Sequence, residues 1–157
     1  MHQVATLLRQ WPRTSATVGF GAVGIALSMT WWTPIIFQAR GVLPFALFIG
    51  TPGISAAAAG WILGKPLFDP ARVCSPPSAA LRGAAIASLA LLLFAPLFAT
   101  LYVWTQAPYE HWSILSLTLL VLVGSAFVIW WLVALIGATA GWLFYSLASC
   151  PAGRTSA

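Results

Sequence analysis

Few side chains in this chain could do chemistry, and their spacing suits little of it. The carboxylates are Asp69 and Glu110, the histidines His2 and His111, and the cysteines Cys74 and Cys150. Proton-coupled transport needs a carboxylate inside an apolar run, and both acids lie between such runs. A thiol redox centre needs a reactive cysteine pair, and the sequence holds no CxxC. The two cysteines likewise give neither a disulfide framework nor a structural metal site. Haem held by two histidines needs them facing each other, but His2 and His111 fall on opposite sides of the membrane in the topology derived below. Serine proteolysis inside a membrane needs a base beside the serine, and Gly124-Ser125 has no histidine at its depth.

Glu110-His111 is the only place where two titratable side chains adjoin. His111 could bind a metal, ligate a pigment or relay a proton. One histidine and one acid do not complete a metal site, and neighbours on an extended loop point apart. The pair reads as a wet interfacial loop, with His111 the single candidate ligand and no intrinsic cofactor or metal. A bound lipid or pigment is compatible with that reading. Leu147-Ala148-Ser149-Cys150 matches a lipoprotein box by letters but lies at the wrong end of the chain, and Cys150 reads as an inert thiol.

The elements that would position these residues are membrane helices. Of the 157 residues, 61% are apolar and 6% charged, and the mean hydropathy is +0.93. A soluble domain does not have that composition. The net charge of +5 comes from cations in short segments flanking apolar runs. There they set topology and meet anionic lipid headgroups, so no nucleic-acid partner is expected.

The first run follows a basic leader bearing Arg9 and Arg13. Ala26-Leu27-Ser28 resembles a signal-peptide cleavage site, but the run continues to Phe37, which argues for a retained helix over residues 15–37. The second span is expected over 42–64. In it Gly50, Gly53, Ala57, Gly60 and Gly64 recur at spacings of 3 and 4, which puts them on one helical face. Small residues on one face let another backbone approach closely. Thr17, Gly21, Gly24 and Ser28 form a shorter stripe in the first span, so the two are expected to pack together. On that basis Gly60→Leu should disturb packing far more than Leu47→Ala, which falls off the stripe. Gly50-Thr51-Pro52-Gly53 should kink the second helix. Either the kink is satisfied by its neighbours or it lines a substrate path.

Residues 65–82 are the only long polar interruption, with four prolines and the cations Lys65, Arg72 and Arg82. They read as a cytoplasmic hinge between two hairpins. A third span is expected over 83–106, with Pro96 near its middle. The last charge-free run, Trp112–Gly153, holds 42 residues. As one helix over 113–147 it would be roughly 50 Å long, against a hydrocarbon core of about 30 Å. Trp130 and Trp131 would mark the inner interface, which places Leu132–Leu147 at or beyond the membrane surface. Gly137 and Gly141 offer a close-packing face there, and Trp142, Phe144 and Tyr145 offer contact area for a partner.

With four spans, Arg9, Arg13, Lys65, Arg72, Arg82 and Arg154 lie on one side and only Arg40 on the other, the cytoplasmic bias of a bacterial inner-membrane protein. The expected fold is therefore a single all-α membrane domain over residues 1–157. It is a bundle of four transmembrane helices with both termini cytoplasmic. The expected function is that of a non-catalytic accessory subunit of a larger membrane complex, possibly a respiratory or photosynthetic one. The alternative is a small transporter or channel subunit using the broken second helix. A polar path beside Pro52 would favour transport, and a dry bundle would favour the subunit.

Overall fold

The computed structural model describes residues 11–38, 46–68, 75–106 and 113–149, and all of its regular structure is helical. Helix α1 is Pro12–Gln38 and α2 is Thr51–Phe68, the latter entered through a π-helical turn at Ala46–Gly50. Helix α3 is Pro76–Gln106, α4 is Ile114–Val128 and α5 is Trp130–Ser149. Among the described residues, three segments are long and apolar enough to cross a membrane: Leu47–Gly64, Pro76–Thr105 and Trp130–Leu147. Ile114–Phe127 is a shorter apolar helix.

The hydroxyls show how an apolar chain keeps its polar atoms satisfied. Thr17, Ser28, Thr30, Thr100, Thr118 and Ser146 each donate to the carbonyl four residues back, at 2.7–2.9 Å. In a medium without water these bonds remove an otherwise costly unpaired group. Pro52 poses the same problem for the backbone. It has no N–H, and its ring crowds the carbonyl four residues back. The π turn directly ahead of it widens the helix, and Thr51 Oγ1 donates to the Leu47 carbonyl.

Four of the helices pack side by side in a row. α1 lies on α2, α2 on α3, and α3 on α5. Phe144 of α5 returns to Phe20 of α1, ring centroids 5.5 Å apart, and joins the two ends of that row. The buried core sits between them at Ala16, Phe20, Ala59, Ala79 and Ile86, with Tyr145 packed against it. The Arg13 guanidinium lies 5.7 Å from the Trp61 ring centroid. The start of α1 thus shares one end of the bundle with the later turns of α2.

Two boundaries differ from the sequence expectation. The interruption at 65–82 is helical on both flanks, because α2 runs to Phe68 and α3 begins at Pro76. Proline is tolerated in a first helical turn, where an N–H would have no helical partner, so Pro76 and Pro77 start a helix rather than break one. Residues 69–74 lie outside the described residues. The last apolar run is two helices, not one over 113–147. Ile129 separates α4 from α5 with φ −116° and ψ −26°. The bonds Ile129 N→Ser125 O and Val133 N→Ile129 O, both 2.9 Å, carry the helical pattern through it. The break is a bend, and α4 and α5 do not fold back on each other.

Candidate functional site

The small-residue faces fall at helix contacts. A Cβ added to Gly60 would lie 2.7 Å from the Ala16 carbonyl oxygen, and one on Gly53 would lie 2.7 Å from Ile25 Cγ1. A Cβ on Gly64 would meet the Ala16 side chain, and Ala57 Cβ lies 3.2 Å from the position a Cβ on Gly21 would take. A Cβ on Gly24 would lie 2.9 Å from Ala56 Cβ. Gly50 differs from the others, with nothing within 4 Å of its Cβ position, because it belongs to the π turn and not to the stripe.

Gly137 and Gly141 pack within the chain. A Cβ on Gly137 would lie 2.5 Å from the Gly83 carbonyl oxygen, and one on Gly141 would lie 2.5 Å from that of Ala79. Their counterparts are Ala79, Gly83 and Ala87, a stripe at spacings of 4 in α3. The sequence displays that stripe openly, and matching it to Gly137 and Gly141 would have found the contact. One face of the later part of the last run therefore packs on α3 and α1, so it does not project free of the bundle. Phe144 reaches α1, where its ring lies 2.5 Å from a Cβ built on Gly19. Phe144 and Tyr145, expected at a partner surface, point into the protein's own packing. Trp142 stays 50% exposed on the outer face of α5, with Trp131, Leu135 and Leu143. Trp130 was expected to mark an interface. Its Nε1 donates to Ser88 Oγ of α3 at 3.0 Å, tying the two helices at the bend.

A cleft of about 140 Å³ opens between α1, α2, α3 and α5. Pro52 lines it, together with Gly24, Leu27 and Ser28 of α1, Ala90, Leu91 and Phe94 of α3, and Ile136 and Gly137 of α5. Its walls are almost wholly carbon, and its one hydroxyl, on Ser28, is donated to the Gly24 carbonyl. Ser55 is 2% exposed and its hydroxyl has no partner, but it does not line the cleft. Among the described residues, the side chains bordering the cleft beside Pro52 are thus almost wholly apolar.

No group of three or more metal-ligating side chains occurs among the described residues. His111, Glu110, Asp69, His2 and both cysteines lie outside them. No protein-family model, curated protein or solved structure matches this chain.

Proposed function

We propose that this chain is a non-catalytic, four-span subunit of a larger membrane complex, with both termini on the cytoplasmic side of a bacterial inner membrane. The observation that supports the reading is the apolar lining of the cleft beside Pro52. Transport through the broken second helix requires polar groups along a path, and the walls there are carbon. Catalysis requires an activated nucleophile or an acid–base pair. The described residues include no Asp, Glu, His or Cys.

The partner surface of this proposal is the outer face of α5. Trp131, Leu135 and Trp142 recur there at spacings of 4 and 7, all exposed. Tryptophan is enriched where one protein surface anchors on another. The partners are other membrane subunits, with surrounding lipid on the remaining faces. The double substitution Trp131→Ser and Trp142→Ser tests this. The variant should insert and fold as the natural chain does, yet lose its co-purifying proteins in mild detergent, read by mass spectrometry. Retention of those proteins at full yield would remove this face from the proposal.

The transport reading retains one observation in its favour. π-helical turns often sit at functional sites, and Ala46–Gly50 is such a turn beside a proline. Substrate-dependent flux in vesicles holding this chain alone would decide for it.

A further inference from the structure

The packing of α1 on α2 sets a cation over an aromatic ring. Gly60 and Gly64 both meet Ala16 across that contact, and Trp61 stands beside Gly60. Arg13 lies one turn before Ala16, and its guanidinium is held over the Trp61 ring, 5.7 Å from the centroid. Thr17 Oγ1 donates to the Arg13 carbonyl at 2.8 Å and ties down the same turn. Both side chains of the pair face outward. Arg13 is exposed and Trp61 is 51% exposed. Trp61 falls in the last turn of the apolar segment Leu47–Gly64. That places its indole at the edge of the hydrocarbon, the level tryptophan favours. Lys65 follows Trp61 by four residues, one turn further along α2.

The charge at this place narrows what fits. The ring attracts the flat face of the guanidinium, but the N–H donors lie in the guanidinium plane and still need acceptors. No aspartate or glutamate occurs among the described residues. Over the whole sequence, seven cations face two acids, so the counter-charge must come from outside the chain. At the membrane edge the anions within reach are lipid phosphates, whose paired oxygens match the fork of an arginine. Phosphatidylcholine cancels its phosphate with its own ammonium group, whereas phosphatidylglycerol keeps a net negative charge. A place with Arg13, a second cation one turn from its ring and no acid beside it favours the anionic lipid.

We propose that Arg13 and Trp61 form a headgroup site for one anionic phospholipid. Arg13 binds the phosphate, and Trp61 holds the guanidinium at the depth where the phosphate lies. The site rests on α2 lying in a membrane and not on the subunit reading. It belongs to α1 and α2, whereas the partner face of that reading belongs to α5.

The test titrates the purified full chain, in mild detergent, with phosphatidylglycerol or with phosphatidylcholine bearing the same acyl chains. Native mass spectrometry counts the bound lipid. The first phosphatidylglycerol should bind about five-fold more tightly than phosphatidylcholine, which is what one cation near the surface supplies. Arg13→Gln should abolish most of that preference. Trp61→Leu keeps every charge and should lower it about two-fold, by freeing the guanidinium from its ring. Arg82→Gln removes the same charge from α3 and should leave the preference unchanged. Equal binding of the two lipids by the natural chain would overturn the site. So would a loss with Arg82→Gln as large as with Arg13→Gln, because the preference would then be a matter of net charge alone. A preference that survives Arg13→Gln, while co-purifying protein is lost, would assign the pair to a protein partner and overturn the lipid site. If Arg13→Gln does not fold, a preference untouched by Trp61→Leu overturns it instead.

Discussion

Gly83 and Gly141 bring α3 and α5 into backbone contact: a Cβ built on Gly83 would lie 2.8 Å from Gly141 Cα and 2.9 Å from its nitrogen. Neither atom can turn aside as a side-chain end can. Gly83→Val or Gly141→Val should therefore push the helices apart and cost about 1–3 kcal/mol or more. Gly124, with nothing within 4 Å of its Cβ position, is the matched control. Gly124→Ala should be neutral or stabilise by up to ~1 kcal/mol, since alanine is the better helix former. Thermal unfolding midpoints in one detergent measure both. A Gly141→Val midpoint equal to that of the natural chain would mean that the two backbones do not meet.

Gly60 makes the corresponding contact between α1 and α2, against the carbonyl of Ala16. Gly60→Leu should lower the unfolding midpoint strongly, because a leucine cannot fit where a Cβ already crowds a backbone oxygen. The comparison with Leu47→Ala needs correction. Leu47 is off the stripe but only 4% exposed, so truncating it opens a cavity worth about 2–5 kcal/mol. Leu81, 74% exposed, supplies the mild control, and Leu81→Ala should change the stability by no more than about half a kcal/mol.

Much of this arrangement could be read from the chain alone. Composition announces helices, and the glycine spacing in α2 names the face that meets α1. The bend at Ile129 could not be read, because no proline or glycine stands there and local signals would carry one helix through. Its neighbours give it away only in three dimensions, where Trp130 bonds Ser88 and Gly137 lies on Gly83. The same contacts explain why Phe144 and Tyr145 turn inward. Counting apolar residues measures how much surface must be covered, but it does not say whether the cover is the chain's own.

The hydroxyls at the break in α2 should respond in opposite directions. Thr51 Oγ1 donates to the Leu47 carbonyl beside Pro52, so Thr51→Val strips a buried acceptor of its partner and should cost about 1–3 kcal/mol. The Ser55 hydroxyl is buried without a partner. Ser55→Ala removes that unmet group and should be neutral or stabilising, by about a kcal/mol. Destabilisation by Ser55→Ala as large as that by Thr51→Val would show that its hydroxyl has a partner in the folded protein.

The proposed topology rests on the cations. Reporter fusions after Arg13, within 74–78 and after Arg154 should all read cytoplasmic, and one near Glu110 should read the far side. Opposite readings at 74–78 and after Arg154 would break the four-span proposal, and would mean that α4 and α5 cross separately.

Phe144 and Trp142 lie two residues apart in α5 yet face different surroundings. Phe144 packs on Phe20 with ring centroids 5.5 Å apart and on Gly19, so Phe144→Ala deletes an intramolecular aromatic contact. Because the ring is only partly buried, that should cost about 1–3 kcal/mol and lower the unfolding midpoint of the isolated chain, with no partner present. Trp142 is half exposed, and Trp142→Ser should leave the isolated chain's midpoint nearly unchanged while weakening co-purification. The two readouts should separate if the proposed assembly uses the face of α5 opposite the one that packs in the fold. If Trp142→Ser unfolds the isolated chain as readily as Phe144→Ala does, the tryptophan belongs to the fold, and the outer face of α5 loses its claim as a partner surface.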